Sequence, residues 1–403
     1  MLSETKQFFF QLIRDHIDGK PSGLPGNVDV SELAELFRRH NLGGMMLHQL
    51  NQELKGMPEQ EMCYKKLYQE YLVCVSVYQK RKTLLEKVHR SFQENGIAYL
   101  IFKGTELAEL YPQPALRTMG DSDILVHPGD KEKSHELLSE LGFTNRSKGP
   151  NEWVYDCGGL EFELHHRMMN DEAGNYDSHK AFFGRAWEYA KSEEGSVRYR
   201  FDCSYHLVYL LTHLRKHFID AGVGFRQFLD IALVVSRCEV DWDWVRKELE
   251  QMDMTAFAEM CFYFCKRWFG ISAPLIAESV SEDFYEMSVN IIFENGVFGT
   301  DNEENANNYA MFQVRESGGR KKTVAVKRFF AMVFPEYNVM KEVRQYSFIN
   351  GRPWLLPAAW VYRFMRVVLG KKDASALHKT VSSMQISEET LQKRNELLEK
   401  WGI

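Results

Sequence analysis

The sequence predicts an α+β protein in which a small mixed sheet is embedded in a mostly α-helical, multidomain chain of 403 residues. Two observations indicate the helical part. Residues 61–94 contain neither proline nor glycine and carry apolar side chains at helical spacing, and this periodicity returns from Ser204 onwards. A third observation indicates the sheet, because Ile97–Phe102 is a continuous apolar run of strand length.

The elements of the α/β unit follow one another with short connections. The first strand ends at Lys103-Gly104, and a helix is expected from Thr105 to Tyr111. After it we predict a strand at 121–126, a helix at 131–141, and a hairpin of strands at 152–156 and 160–165. This alternation of strands and helices is typical of a mixed sheet with helices packed on it.

The changes of pattern divide the chain into four regions. We predict an N-terminal helical region at 1–95, the α/β core at 96–200, a second helical domain at 201–275 and a C-terminal helical region at 276–403. In the first region Val30, Leu33 and Phe37 recur at helical spacing, which indicates an amphipathic helix.

Charge and cysteine content narrow the class of protein. Fifty basic and 56 acidic residues give a net charge of −6, whereas a protein that coats nucleic acid normally has a strongly basic surface. The seven cysteines form no Cys-x-x-Cys pair, which is typical of a reducing compartment and argues against a zinc knuckle. No apolar run reaches the length of a transmembrane segment, so we expect a soluble, cytoplasmic protein.

The sharpest local feature is the pair Asp121 and Asp123 on the second predicted strand. Alternate residues of a strand point to one face, so the two carboxylates would repel each other unless a cation lies between them. Oxygen ligands of this kind suit Mg²⁺. The alternative is that both carboxylates are solvated turn residues.

Two further features lie close to this pair in the sequence. Gly104 stands where a strand meets a helix, a place where backbone N–H groups can approach a phosphate, although it could equally serve only as a turn. Glu161 and Glu163 share one face of a later strand, and either one could supply a third carboxylate. Their alternative role is that of solvent-facing residues on an edge strand.

The order of these motifs resembles the nucleotidyltransferase fold of the DNA polymerase β type, and more closely a bacterial family of uncharacterised nucleotidyltransferases. The similarity is carried by the stretch LIFKGTELAELYPQPALRTMGDSDILV at 100–126 and by Glu163-Leu164-His165, which favours Glu163 over Glu161. It extends over roughly residues 25–270. The superfamily usually has Gly-Gly or Gly-Ser at the turn, where this chain has Gly104-Thr105.

The resemblance implies Mg²⁺-dependent (or Mn²⁺-dependent) transfer of a nucleotidyl group from an NTP to an acceptor hydroxyl or phosphate. Asp121, Asp123 and Glu163 would be the catalytic and metal-binding carboxylates, and two metal ions can clamp the attacking and leaving oxygens. Binding of the nucleotide phosphates would fall to Lys103, Gly104, Thr105 and Arg117. Alternatively, Lys103 extends along the surface at its strand end, or Arg117 pairs structurally with Asp121.

Four residues of the following helical segment are expected to contact the nucleotide or the acceptor. They are Lys216, His217, Arg226 and Asp230. Two alternatives stay open, because His213 and His217 are spaced like a metal pair, and Arg226 and Asp230 are spaced like a helix salt bridge.

Three functions remain to be distinguished. The first is the nucleotidyltransferase, the second is a catalytically silent nucleotide-binding module with a regulatory or scaffold role, and the third is a phosphohydrolase. The acceptor is expected to be a small molecule or a protein, because a long nucleic acid requires many phosphate contacts on a broad basic surface.

Overall fold

The structure is a computed structural model that describes residues 2–168, 177–220, 222–296, 315, 334–341, 344–369 and 388–403. Within these residues it confirms the predicted α+β class, with a seven-stranded mixed sheet surrounded by helices. The predicted C-terminal region lies partly outside the described residues. The division into four regions stays a prediction.

Within the fully described segment 2–95, four α-helices precede the sheet. They are α1 (Glu4–Ile17), α2 (Val30–Arg39), α3 (Gly43–Lys55) and α4 (Glu61–Asn95). Ser3 and Asp29 cap α1 and α2, because their side-chain oxygens accept hydrogen bonds from the first turn of each helix. The 35-residue α4 ends at Gly96, whose φ of 65° is the left-handed conformation that glycine adopts without steric cost.

The sheet combines parallel and antiparallel pairs. Its strands are β1 (Tyr99–Phe102), β2 (Asp123–Val126), β3 (Thr144–Lys148), β4 (Glu152–Cys157), β5 (Leu160–His165), β6 (Ala190–Ser192) and β7 (Arg198–Phe201). The spatial order is β3-β4-β5-β2-β1-β7-β6. Strand β2 runs antiparallel to β1 and parallel to β5, and β1 runs parallel to β7.

The register of the central strands brings three residues to the same level of the sheet. Phe102, the last residue of β1, lies opposite Asp123, and Asp123 lies opposite Glu163 on β5. The side chains that follow β1, begin β2 and occupy β5 therefore meet at one end of the sheet. This end carries the sequence motifs described above.

Both faces of β1 and β2 are buried, which explains their apolar sequences. Leu100 and Phe102 of β1 face the core formed with the helical regions, and Tyr99 and Ile101 face a second core formed with α4. Three short helices accompany the sheet, namely α5 (Gly104–Ala108), α6 (Lys131–Glu140) and α7 (Asp177–Gly184).

The helices that follow the sheet pack on the same large core as the N-terminal helices. They are α8 (Cys203–Asp220), α9 (Phe225–Arg237), α10 (Trp242–Gln251), α11 (Thr255–Phe269) and α12 (Glu282–Asn295). The ring of Phe225 lies 5.2 Å from that of Phe9 and 4.9 Å from that of Trp268, so α1, α9 and α11 share one aromatic cluster. Burial of such rings is a major source of stability.

The C-terminal part is described only for α13 (Tyr337–Lys341), α14 (Leu356–Leu369) and α15 (Glu388–Lys400) and their flanking residues. Trp401, just after α15, packs against Phe218 of α8 with ring centroids 4.6 Å apart. The end of the chain therefore belongs to the same core. Among the described residues, none of the helices has the length and apolar character needed to cross a membrane.

Candidate active site

A cluster of charged side chains occupies the end of the sheet where β1, β2 and β5 meet. Asp123 is fully buried, and its Oδ1 accepts hydrogen bonds from Lys103 Nζ at 2.7 Å and from His165 Nε2 at 3.1 Å. The same His165 nitrogen lies 3.2 Å from Glu163 Oε2. One buried carboxylate is thus held between two cationic groups, and a second carboxylate lies beside it.

The cluster has the donor set of a metal site. Ligand atoms of Asp123, Glu163 and His165 all lie within 4.8 Å of one another, and no other such group occurs in the described part of the chain. Asp123 Oδ2 is buried and has no hydrogen-bond partner. Since a buried carboxylate oxygen without a partner is costly, this atom is free to bind a cation.

The charges in the cluster depend on one another. Burial opposes ionisation of Asp123, but the charge of Lys103 and the hydrogen bond from His165 lower the pKa of this carboxyl well below its usual value. Burial likewise opposes protonation of His165, yet its hydrogen bonds to Asp123 and Glu163 raise its pKa to about 9. At neutral pH the group thus holds an anionic Asp123 and a cationic His165, and His165 would bind a metal only after losing its proton.

Lys103 reaches Asp123 from an unusual backbone conformation. Its φ of 57° and ψ of −125° lie in a region that side chains rarely adopt, at the corner between β1 and α5. Its ammonium lies 5.9 Å from the ring centre of Tyr209 on α8. Burial is the largest single influence and lowers the pKa of Lys103, but the charge of Asp123, the neighbouring Tyr209 and the hydrogen bond to Asp123 together outweigh it and raise this pKa well above its usual value.

Asp121 lies at the edge of the cluster rather than inside it. This half-buried residue precedes β2 and is not part of the compact group with Asp123, Glu163 and His165. Burial raises its pKa, and the neighbouring charges of Asp123 and Glu163 raise it further, which shows that the three carboxylates sense one another. The structure therefore brings Asp123 and Glu163 together with His165 and places Asp121 at the edge of this group, and the three-carboxylate metal set stays a prediction.

Gly104 and Thr105 begin α5 directly beside the segment that contains Asp121 and Ser122. A Cβ atom at Gly104 would lie 3.2 Å from the carbonyl oxygen of Asp121, closer than most real Cβ contacts. The Oγ1 of Thr105 lies 3.4 Å from the Oγ of Ser122, the residue between the two aspartates. The Lys-Gly corner and the aspartate loop therefore touch, which is the close backbone approach for which glycine is suited.

Replacing Gly104 with alanine should therefore disturb the site more than the fold. We expect turnover to fall about 10-fold, because the added methyl group pushes the Asp121 backbone away by a few tenths of an ångström. The melting temperature should change little. Gly120→Ala is the matched control, since a Cβ there meets no atom within 4 Å. Equal effects of both substitutions on turnover would contradict this interpretation.

Arg117 and Asp230 form a buried ion pair, at 5% and 6% side-chain exposure. Arg117 Nε and Nη2 each donate to one oxygen of Asp230 at 2.8 Å, and the Tyr111 hydroxyl donates to Oδ1 at 2.8 Å. Arg117 thus pairs with Asp230 on α9, not with Asp121 as the sequence alternative had it. The predicted contact of both residues with nucleotide stays a prediction.

The other predicted residues lie on the helices beside the cluster. Arg226 donates to the backbone oxygen and the hydroxyl of Thr118, so it binds the loop before Asp121 instead of forming a helix salt bridge with Asp230. Lys216 is exposed on α8. His217 Nε2 lies 3.0 Å from His213 Nε2, and burial lowers the pKa of His217 to about 4.

These helical residues continue the site along one face of α8. The ring of Tyr209 beside Lys103 stacks on His213 at 6.0 Å, and His213 in turn contacts His217. Burial, together with the charge of Lys103, lowers the pKa of His213 well below its usual value. Tyr209, His213 and His217 thus form a row of uncharged rings on α8 next to the charged cluster.

Three residues of the site lie outside the predicted set. His165 follows Glu163 by two positions on β5, so the same alternation that pairs Glu161 with Glu163 could have identified it. Tyr209 precedes His213 by four positions and lies on the same helix face. Arg81 on α4 donates a hydrogen bond to Ser122, the residue between the two aspartates, and no local sequence spacing relates Arg81 to this segment.

Similarity to a known protein family covers more than half of the chain. A family model described as an uncharacterised nucleotidyltransferase matches residues 26–270, more than half of the chain, and the protein belongs to this family. The match confirms the resemblance found in the sequence and identifies the protein as a nucleotidyltransferase.

The solution structure of the antibiotic-resistance factor ANT(2'')-Ia is similar over 45% of this chain and 92% of that chain, with 12% identity and a TM-score of 0.33. Similarity at this level supports no inference about activity. No curated protein matches the chain.

Proposed function

We propose that this protein transfers a nucleoside monophosphate group from an NTP to an acceptor hydroxyl or phosphate in a reaction that requires Mg²⁺ or Mn²⁺. The observation that carries the proposal is the cluster of Asp123, Glu163 and His165 with a buried, unpartnered Asp123 oxygen, in a member of a nucleotidyltransferase family. Asp121, Asp123 and Glu163 would hold the metal, which when bound supplies a positive charge for the phosphate oxygens.

The protein's own side chains have distinct roles in this proposal. Lys103 carries a fixed positive charge beside Asp123 and is placed to counter phosphate charge. Glu163 keeps 23% of its side chain exposed, and one of its oxygens is bound by His165. It is therefore the carboxylate that would take the proton from the acceptor hydroxyl. Gly104 and Thr105 allow the phosphate chain to approach the corner between β1 and α5, and Arg117, Lys216, His217, Arg226 and Asp230 would line or support the nucleotide side.

The acceptor in this proposal is a small molecule or a protein. A net charge of −6 disfavours a long nucleic acid, which would need many phosphate contacts. The row of uncharged rings formed by Tyr209, His213 and His217 presents ring faces and neutral hydrogen-bonding groups beside the charged cluster. These groups suit recognition of a polar compound that carries little net negative charge.

One observation favours the silent nucleotide-binding module as a second candidate. Asp123 Oδ1 already has two cationic partners, Lys103 and His165, so the buried charge is balanced without a metal. In that case the cluster would be a structural ion-pair network that binds nucleotide without turnover. The two candidates therefore differ in whether product forms.

The test supplies each of ATP, GTP, CTP and UTP, labelled at the α- or the γ-phosphate, with Mg²⁺ and pooled small-molecule or protein acceptors. Transfer of the α-label together with pyrophosphate release is the result expected for the enzyme. Release of inorganic phosphate indicates a phosphohydrolase instead. Binding of an NTP without any product supports the silent module and overturns the proposed reaction.

Two glutamates on β5 provide a matched pair of variants. Glu163→Gln is expected to lower α-label transfer at least about 100-fold, because it removes a carboxylate charge from the cluster. Glu161→Gln changes the same residue type two positions away, but Glu161 is exposed and outside the cluster, so activity should stay within about 2-fold. If the two variants behave alike, Glu163 is not part of the site.

A further inference from the structure

A buried arginine lies behind the two aspartates. Arg81 belongs to α4 and is 1% exposed. Its guanidinium donates to the Ser122 hydroxyl at 2.8 Å, the Gly120 carbonyl at 3.0 Å and the Glu161 carbonyl at 3.1 Å. One side chain thus binds three acceptors on two different segments of the sheet region.

These acceptors belong to the segments that carry the candidate metal ligands. Ser122 stands between Asp121 and Asp123, and Gly120 directly precedes them. The backbone of Ser122 is also paired with β5, since Ser122 N donates to Glu161 O at 3.2 Å and Glu163 N donates to Ser122 O at 2.9 Å. Arg81 binds both partners of this pairing and so holds the aspartate segment against the strand that carries Glu163.

The buried charge of Arg81 has hydrogen-bond acceptors but no ion-pair partner among those acceptors. Among the described residues, the acceptors of its guanidinium are one hydroxyl and two carbonyl oxygens, and its Nε has no hydrogen-bond partner. A buried cation without an ion pair is costly. The charges of Asp121, Asp123 and Glu161 act on Arg81 from further away and partly offset that cost.

We propose that Arg81 is a positioning residue for the metal-binding carboxylates, an inference that rests on the proposed function. It fixes the Gly120–Asp123 segment relative to β5, so that Asp121, Asp123 and Glu163 converge on one point. Its contribution is geometric, because a positive charge behind the carboxylates by itself weakens cation binding.

The sign of the effect on metal affinity separates this role from a purely electrostatic one. Arg81→Met removes the charge and the hydrogen bonds. Arg81→Lys keeps the charge but loses the planar guanidinium, whose N–H groups donate to the three acceptors at once. If Arg81 positions the carboxylates, both variants should bind Mn²⁺ about 10-fold more weakly than the wild type. If Arg81 acts only through its charge, Arg81→Met should bind Mn²⁺ more tightly.

The experiment titrates Mn²⁺ into the full-length protein, follows free Mn²⁺ by electron paramagnetic resonance, and measures the kcat and KM of α-label transfer. We expect kcat to fall at least 10-fold and the KM for the NTP to stay within about 3-fold. Arg237→Met is the matched control, because Arg237 also donates to two backbone carbonyls, those of Leu110 and Ile17, away from the cluster. Its Mn²⁺ affinity should equal that of the wild type.

Several outcomes overturn the inference. Unchanged or tighter Mn²⁺ binding by folded Arg81→Met and Arg81→Lys contradicts the positioning role. If Arg81→Met does not fold, Ser122→Ala removes one of the three acceptors and should weaken Mn²⁺ binding about 3-fold, and unchanged affinity there contradicts the role as well. If the wild type binds no Mn²⁺ with or without an NTP, the proposed function fails, and the inference fails with it.

Discussion

Replacing Asp123 with asparagine is expected to lower nucleotidyl transfer at least about 1000-fold. Asp123 is the central carboxylate of the cluster. It has a side-chain oxygen within 4.8 Å of the candidate ligand atoms of Glu163 and His165, and its Oδ2 has no hydrogen-bond partner. An asparagine keeps the shape but removes the charge that would hold a divalent cation. The measurement is the rate of α-label transfer at saturating NTP and Mg²⁺.

The same substitution should also lower the free energy of unfolding, by about 2 kcal/mol. It leaves Lys103, which is 17% exposed, without the carboxylate that pairs with it. The double variant Asp123→Asn/Lys103→Met removes both members of the pair and should recover part of the lost stability while staying inactive. Activity in either variant would contradict the assignment of Asp123, and an unchanged urea midpoint would contradict the importance of the ion pair.

The part of the fold that the sequence predicts is the part with strong local patterns. Strands β1 and β2 have buried, mostly apolar sequences, β5 alternates apolar and polar residues, and the predicted bounds of all three differ from the observed ones by at most two residues. Strands β3, β6 and β7 lack a continuous apolar run, and they form because neighbouring strands supply their hydrogen bonds. No property of their own sequences predicts them.

The helix after Lys103-Gly104 shows the same limit. A helix was expected over Thr105–Tyr111, but α5 spans only Gly104–Ala108. Tyr111 turns inward and donates its hydroxyl hydrogen to Asp230, 119 residues later in the chain. The tertiary hydrogen bond, not the local helix propensity, therefore determines the conformation of the chain after Ala108.

The site was predictable wherever its residues lie on one element. The two-residue period of a strand relates Asp121 to Asp123 and Glu161 to Glu163, but Asp121 lies just before β2 and Glu161 lies outside the cluster, so the structure pairs only Asp123 with Glu163. The partners between distant segments were not predictable, because nothing in the sequence relates Arg81 on α4 to Ser122, or Arg117 to Asp230. Such pairs depend on how helices pack on the sheet.

Replacing Asp230 with alanine is expected to cost about 3–5 kcal/mol of unfolding free energy. The substitution leaves the Arg117 guanidinium buried without its carboxylate and removes the acceptor of the Tyr111 hydroxyl. Urea unfolding followed by circular dichroism would measure the loss. The double variant Arg117→Met/Asp230→Leu should be much less destabilised, because it leaves no unpaired buried charge.

An exposed ion pair serves as the control for this comparison. Glu61 and Lys65 are 66% and 67% exposed and lie one turn apart on α4, so Glu61→Ala should not change stability measurably. NTP affinity decides whether the buried pair also serves the site. If the double variant is folded and binds each NTP as the wild type does, Arg117 and Asp230 are structural, and their predicted nucleotide contact is wrong. If it is folded but NTP affinity falls at least 10-fold, the pair supports the nucleotide side as well as the fold, because it joins α9 to the loop before Asp121.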